Sequence, residues 1–116
     1  MLPVRATLRT GRQVFVGTAN GRADELAELL RAGELVPALD PRAIARSRRP
    51  RELRVRPADV VELVVFGPRP LFGPRWWHRA VDGEPVTWSD VALEGLVEAV
   101  EAIERELRGR GPHVEL

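Results

Sequence analysis

Residues 4–17 read VRATLRTGRQVFVG, and apolar side chains alternate with polar ones on both sides of a Gly-containing turn. A period of two is typical of half-buried β-strands, and two such runs around a short turn predict a β-hairpin. The first strand covers Val4 to Leu8, and the second covers Gln13 to Ala19. Gly17 interrupts the second run and predicts a bulge or a sharp bend.

Two later segments have apolar residues at helical spacing. Ala23 to Ala32 predicts a short helix that ends at Gly33. Asp90 to Arg108 predicts a long helix, with Ser89 as its N-cap. The long helix carries a continuous apolar stripe that can pack on a sheet. The stripe consists of Leu93, Leu96, Val100, Ile103 and Leu107.

The middle of the chain mixes strand patterns with proline-rich segments. Leu53 to Arg56 alternates and ends at a proline, and Val60 to Phe66 is apolar on both faces, which predicts a central strand. Residues 34–50 contain three prolines, and the sequence does not decide between a loop and short regular elements there. For their second half it favours a helical turn at Arg42 to Arg46 followed by an exposed loop.

The second half begins with a proline-rich link at residues 67–75. Residues 76–81 and 84–88 then flank an Asp-Gly pair, which predicts a second hairpin with a tight turn. After the long helix, residues 109–116 predict a flexible tail. The whole chain is expected to be one domain of 116 residues.

The composition excludes several classes of protein. The chain has 18 Arg, no Lys and no Cys, so a disulfide framework, a thiol nucleophile and a zinc–thiolate site are ruled out. Abundant Arg and Glu give a thermophile-like composition, although GC-rich coding explains it more simply. No apolar run approaches the ~20 residues of a membrane helix. The N-terminus lacks the apolar region of a signal peptide, so we expect a cytoplasmic, bacterial-type protein without a membrane partner.

The net charge of +1 conceals a strong asymmetry. Residues 1–57 hold 12 Arg and 6 acidic residues, a net of +6, whereas residues 58–116 hold 6 Arg and 11 acidic residues, a net of −5. Such an asymmetry predicts an electrostatic partner, either another molecule or the other half of the fold.

The strand pattern of the first half resembles the opening motif of the Sm-like (LSm) small barrels. The matching positions are Val4, Ala6, Leu8, Gly11, Phe15 and Gly17. The segment LRVRPADVVELVVF is similar to the last two strands of that family, with Leu53, Val55, Val60 and Val64 as inward positions. The resemblance covers residues 2–66, with a helical insertion at 22–50. No binding residue is carried over from the family, because its Asp and Asn after the bent strand and its later Arg-Gly have no counterpart.

The fold expected from these patterns is α+β. A small, strongly bent SH3- or LSm-like β-barrel with a helical insertion is followed by a β-hairpin and a long C-terminal α-helix, which together take residues 76–108.

The chain offers no complete catalytic set. Its two histidines are His78 and His113, and its two serines are Ser47 and Ser89. No nucleophile elbow, P-loop or dinucleotide-binding motif accompanies them. We therefore expect no catalytic residue, no metal and no cofactor, and not an enzyme.

Two sets of residues are candidates for binding. One is a basic cluster with guanidinium groups suited to phosphate: Arg42, Arg46, Arg48, Arg49, Arg51 and Arg54. The other is an apolar interface set: Trp76, Trp77, Val91 and Val97. Adjacent tryptophans in a strand point to opposite faces, so only one of them can be in the core.

The favoured hypothesis is a non-enzymatic binding or assembly module that forms homo-oligomers. The alternative is an RNA- or DNA-binding regulator that uses the Arg42–Arg56 stretch. An active site shared between subunits is a third, more distant hypothesis.

Overall fold

The computed structural model describes residues 2–18, 20–42, 52–67, 73–81, 84 and 86–109. Within these residues the chain forms six strands, two helices and one 3-10 turn at Pro57–Asp59. In chain order, the elements are β1 (Val4–Leu8), β2 (Gln13–Val16), α1 (Ala23–Ala32), β3 (Val36–Leu39), β4 (Glu52–Val55), β5 (Val60–Phe66), β6 (Pro74–Arg79) and α2 (Asp90–Gly109).

The strands form one antiparallel sheet in the order β4-β3-β2-β1-β5-β6. β1 lies in the middle, because Val4 pairs with Val16 on one side and with Val65 on the other. This sheet confirms the α+β class. It does not confirm the closed SH3- or LSm-like barrel: in the described part of the chain the sheet is open, with β4 and β6 at its edges. Both helices cover the same face of the sheet, so this face is buried without the sheet closing into a barrel.

The core lies between this face of the sheet and the two helices. Alternate strand residues such as Val4 and Ala6 point towards the helices and are fully buried. Leu26 in α1 and four members of the predicted α2 stripe meet them there. Burial of each large aliphatic side chain contributes roughly 1.5–3 kcal/mol relative to exposure. Leu107, the last predicted member of the stripe, is 53% exposed and lies outside the core.

α1 begins and ends where the sequence predicts, and α2 begins at the predicted residue and ends one residue later, at Gly109. Gly33 ends α1 in the left-handed conformation, with φ of 70°, and its N–H bonds to the carbonyl groups of Leu29 and Leu30. Glycine adopts this conformation without steric cost. At the start of α2, the Ser89 hydroxyl accepts a hydrogen bond from the N–H of Ala92 at 3.2 Å, as expected of an N-cap.

β3 occupies a segment that the sequence left undecided, because Pro37 lies inside it. The Pro37 carbonyl accepts the N–H of Gly17 at 3.1 Å, so the missing N–H of Pro37 also points towards the end of β2. The ladder between β3 and β4 therefore loses no hydrogen bond, and the one bond that proline cannot make lies at the end of β2. β2 itself ends at Val16, three residues earlier than predicted.

A bulge in β5 corrects one predicted inward position. Thr7 pairs with Glu62 but Leu8 pairs with Val60, so Val61 is an extra residue in β5. An extra residue reverses the alternation along a strand. Val60 therefore faces the helices as predicted, whereas Val64 lies on the opposite face.

The prediction of a second hairpin was wrong for its return strand, residues 84–88. β6 begins at Pro74, inside the predicted link, and ends at Arg79. Glu84 and residues 86–88 form no strand. The intervening Pro85 has no N–H for a ladder, and the return segment is held by a side chain instead, with His78 Nε2 lying 2.7 Å from the carbonyl of Thr87.

Several sequence predictions fall on parts of the chain outside the described residues. They are the helical turn after Arg42 and the loop after it, the link at 68–72, the Asp82-Gly83 turn and the tail from Arg110.

Candidate interaction surface

The face of the sheet turned away from the helices carries a continuous row of side chains, the sheet-face row. Strand registers align Leu39 with Phe15, Phe15 with Arg5, Arg5 with Val64, and Val64 with Trp77. Residues directly opposite each other in antiparallel strands have Cβ atoms about 5 Å apart, so neighbours in the row are in contact range. Four of its five members are apolar, and the fifth, Arg5, stands in the middle.

The two adjacent tryptophans lie on opposite faces of β6. Trp76 points towards α2, where it is half-buried beside Gly95. Trp77 ends the sheet-face row and is 60% exposed. Its neighbour Val64 is only 5% exposed although no helix covers it. The structure thus places Trp76 against the core and leaves Trp77 as the surface tryptophan.

Arg5 is half-buried and lies against an aromatic ring. Its guanidinium carbon is 4.8 Å from the centre of the Phe66 ring, a cation–π distance. Its Nε atom is buried and has no hydrogen-bond partner. No carboxylate among the described residues forms an ion pair with Arg5. An unpaired positive charge in an apolar row favours an anionic group on whatever covers this face.

The charged residues beside the row differ in whether they have an ion-pair partner. Arg79 bonds to Glu62 across β5 and β6 at 2.8 Å, so this pair is internally compensated. Arg54 lies on the same face of the sheet at the far edge, in register with Pro37. Among the described side chains of this face, Arg5 and Arg54 have no ion pair, whereas Arg79 is paired with Glu62.

The outer face of α2 has the opposite character. Val91, Glu94, Glu98 and Glu101 follow one another at helical spacing and are all exposed, and we call them the acidic stripe. Val91 is 80% exposed, as a contact residue would be. No ion pair joins these three glutamates to the rest of the described chain.

Other residues of the long helix are already engaged. Val97, the other valine predicted at an interface, is partly buried against the core and is not a free contact residue. Asp90 pairs with Arg31 of α1 at 3.0 Å, and Glu106 pairs with Arg75 of β6. These two pairs anchor α2 to its own chain, while the acidic stripe remains available.

The predicted basic cluster falls mostly outside the described residues: Arg46, Arg48, Arg49 and Arg51 are not among them. Arg42 follows β3, and Arg54 lies in the neighbouring strand β4, opposite Pro37. The backbone N–H of Arg42 donates to Asp40 at 2.8 Å. Asp40 also binds Arg12 at 2.5 Å, and these bonds, led by that from Arg12, lower the pKa of its carboxyl group.

His78 and Ser89 have structural partners. The His78 ring lies between Trp76 and Trp88, with centroids 6.1 and 5.5 Å away. Its Nε2 contacts the Thr87 carbonyl, and the Ser89 hydroxyl caps α2. In the described part of the chain no group of three or more His, Asp or Glu side chains is placed to hold a metal ion.

A cleft of about 600 Å³ lies between α1 and the strands, with a floor that includes Leu35 and Pro37. The three carboxylates on its wall already have partners: Asp24 pairs with Arg22, Glu25 with Asn20 and Glu28 with Arg31. The hydrogen bond from Arg22 lowers the pKa of Asp24. Arg54 also lines this cleft and has no ion pair among the described residues. The cleft is therefore lined by three partnered carboxylates and one arginine.

Neither helix in the described residues combines the length and apolar content that crossing a membrane requires. Comparisons of the chain with protein-family models, curated proteins and solved structures found no match.

The sequence pointed to Trp77 but missed the rest of the row. Alternation in VRATL does place Arg5 opposite the buried Val4 and Ala6, which was a usable signal. Val64 was missed because the bulge at Val61 reverses the alternation.

Proposed function

We propose that this chain is a non-enzymatic assembly module that self-associates through the helix-free face of its sheet. The observation that carries the proposal is Trp77, 60% exposed at the end of the sheet-face row. Exposed tryptophans are enriched among residues that dominate the energy of protein interfaces. An antiparallel sheet can leave one face in water, but that face is then mostly polar. Here the face has a polar row, Gln13, Thr7, Glu62 and Arg79, beside the sheet-face row, in which four of five residues are apolar.

The energetic gain from covering this face is substantial. An aromatic side chain buries 150–250 Å², so covering the exposed part of Trp77 removes about 100–150 Å² from water, worth roughly 3 kcal/mol at 25 cal/mol per Å². Leu39 and Phe15, both partly exposed, add to it. The cost is the desolvation of Arg5, which an anionic group on the partner offsets.

Sedimentation velocity over about 1–200 µM protein, the range of weak to moderate affinities, tests self-association. We expect the weight-average mass to rise above that of one chain. Trp77→Ala should weaken association about 100-fold, the effect of losing roughly 3 kcal/mol. Leu107→Ala, an exposed apolar residue near the end of α2 and away from the helix-free face, is the matched control and should leave association unchanged. A wild-type chain that stays monomeric throughout contradicts the proposal.

Binding of single-stranded nucleic acid is the second candidate function. It is favoured by the placement of Arg54, a member of the basic cluster, on the same face of the sheet as Trp77. Bases stack on exposed aromatic rings while guanidinium groups contact phosphates. Fluorescence anisotropy with labelled poly-U or poly-dT, at about 50 and 200 mM salt, tests it. Binding that falls with salt and weakens in both Arg54→Ala and Trp77→Ala supports this function, and no binding at low salt removes it.

A further inference from the structure

We propose that the helix-free face is covered by helix α2 of a second copy, which lays its acidic stripe along the sheet-face row. This inference rests on the proposed function and adds to it the identity of the contacting surface. The assembly is then built from two different surfaces of each chain. The same contact is repeated from copy to copy.

The acidic stripe and the sheet-face row have similar lengths. The stripe runs along α2 from Val91 to Glu101, about 15 Å at 1.5 Å per residue. The sheet-face row crosses five strands, about 19 Å at a strand spacing of 4.8 Å. A helix packed on the second face of a sheet is also a standard layer arrangement, in which the sheet is buried on both sides.

The single charge at the middle of the sheet-face row is opposite in sign to the charges of the acidic stripe. Glu94, Glu98 and Glu101 on the acidic stripe have no ion pair among the described residues, and neither does Arg5. A glutamate of α2 that meets Arg5 supplies the anion which the middle of the row lacks. Val91, the apolar member of the stripe, then has Trp77 or Leu39 as an apolar partner at one end of the row, according to the direction of the helix.

A symmetric contact between two sheet faces fits less well. A two-fold axis through the middle of the row brings Arg5 against Arg5 of the other copy, with no anion between them. Like charges buried together in an interface cost several kcal/mol. The contact between a sheet face and a helix avoids this repulsion. The outer side of α2 and the helix-free face point in opposite directions, so two copies cannot make this contact with each other twice. The contact therefore generates a closed ring or an open chain, not a two-fold dimer.

Two variants, each lacking one surface, test the inference by complementation. Trp77→Glu places a negative charge on the sheet face, and Glu94→Arg/Glu98→Arg reverses the stripe; all three positions are exposed. We expect each variant alone to be monomeric. Mixed in equal amounts, they should form a one-to-one heterodimer that grows no further, since each retains the surface the other lacks. Glu28→Arg/Glu34→Arg carries the same change in net charge, lies outside α2 and the helix-free face, and should assemble like the wild type.

Each result separates the inference from the proposed function. If Trp77→Glu is monomeric but Glu94→Arg/Glu98→Arg still assembles, or if the mixture forms no heterodimer, self-association through the sheet face stands and the contact with α2 is overturned. A wild-type assembly that stops at two chains also overturns it. A wild-type chain that stays monomeric leaves the face to a nucleic acid or another protein and overturns both. Circular dichroism of each variant checks that it is folded.

Discussion

Gly95→Ala is predicted to destabilise the protein, against the usual effect of this change in a helix. Replacing glycine by alanine inside a helix ordinarily stabilises by about 1 kcal/mol. At Gly95 a Cβ atom would lie 2.6 Å from Nε1 of Trp76, whereas ordinary contact begins at 3.4 Å. The indole must therefore retreat by about 0.8 Å, away from the contact that packs β6 against α2.

Overpacking of this kind costs roughly 1–3 kcal/mol. After subtraction of the helical gain, the expected net loss for Gly95→Ala is about 0–2 kcal/mol. In a Trp76→Ala background the obstacle is absent, so the same substitution should stabilise by about 1 kcal/mol. The difference between the two backgrounds is the coupling energy, expected to be about 1–3 kcal/mol.

Urea unfolding followed by circular dichroism measures all four chains of this cycle. The measurements need one protein concentration, because self-association adds to apparent stability. If Gly95→Ala raises the free energy of unfolding equally in both backgrounds, the close approach of Trp76 to α2 is refuted. A loss in both backgrounds would refute it as well.

Three further predictions concern the cap, the core and a surface ion pair. Ser89→Ala should cost about 1 kcal/mol by chemical unfolding, while Ser89→Asp should keep most of the stability; equal losses would argue against capping. Leu63→Ala, at a fully buried position, should cost about 2–5 kcal/mol, and the exposed Val91→Ala less than about 0.5, so similar values would contradict the assigned core. Arg12 lowers the pKa of Asp40 in the folded state. Their pair therefore contributes its full stabilisation of the folded chain above the unfolded pKa of about 3.9, and this contribution is lost as the pH falls through the lower, folded pKa. Asp40→Asn should therefore lower the urea midpoint at pH 7 but not at a pH below the folded pKa of Asp40. A lower midpoint that persists at that acidic pH would contradict the pairing.

The elements predicted correctly are those that local chemistry determines. α1 has apolar residues on one side and Gly33 at its end, and α2 has a cap and a long apolar stripe. β5 is the most β-prone run of the chain and lies inside the sheet, between β1 and β6. In each case the sequence signal lies within a few residues of the element itself, so the prediction does not depend on which other element packs against it.

The elements missed depend on contacts between distant parts of the chain. β3 contains Pro37, and the strand is tolerated because the missing N–H points to the end of β2. The bulge at Val61 exists because β5 must fit the register of β1. No local pattern marks either feature, and a strict period of two placed Val64 on the wrong face.

The candidate surface was predictable in part. The sequence showed that one of the two adjacent tryptophans must leave the core, and the structure identifies it as Trp77. Which apolar residues surround it depends on the strand order, and neighbours such as Phe15 and Val64 are brought together only by pairing with β1. The open sheet, with helices on one face, is what exposes this row.

The central position of β1 has a consequence for how the chain folds. Val4 pairs with Val65, 61 residues later in the chain, so the middle of the sheet joins segments that are far apart in sequence. Closing such a long loop costs entropy before any contact is gained, and a high contact order slows folding. During synthesis the first four strands emerge before β5, which completes the centre of the sheet, and before α2, which covers it. We therefore expect the nascent chain to expose the part of its apolar face that α1 does not cover until α2 has been made, and the pairing of β1 with β5 to limit the folding rate.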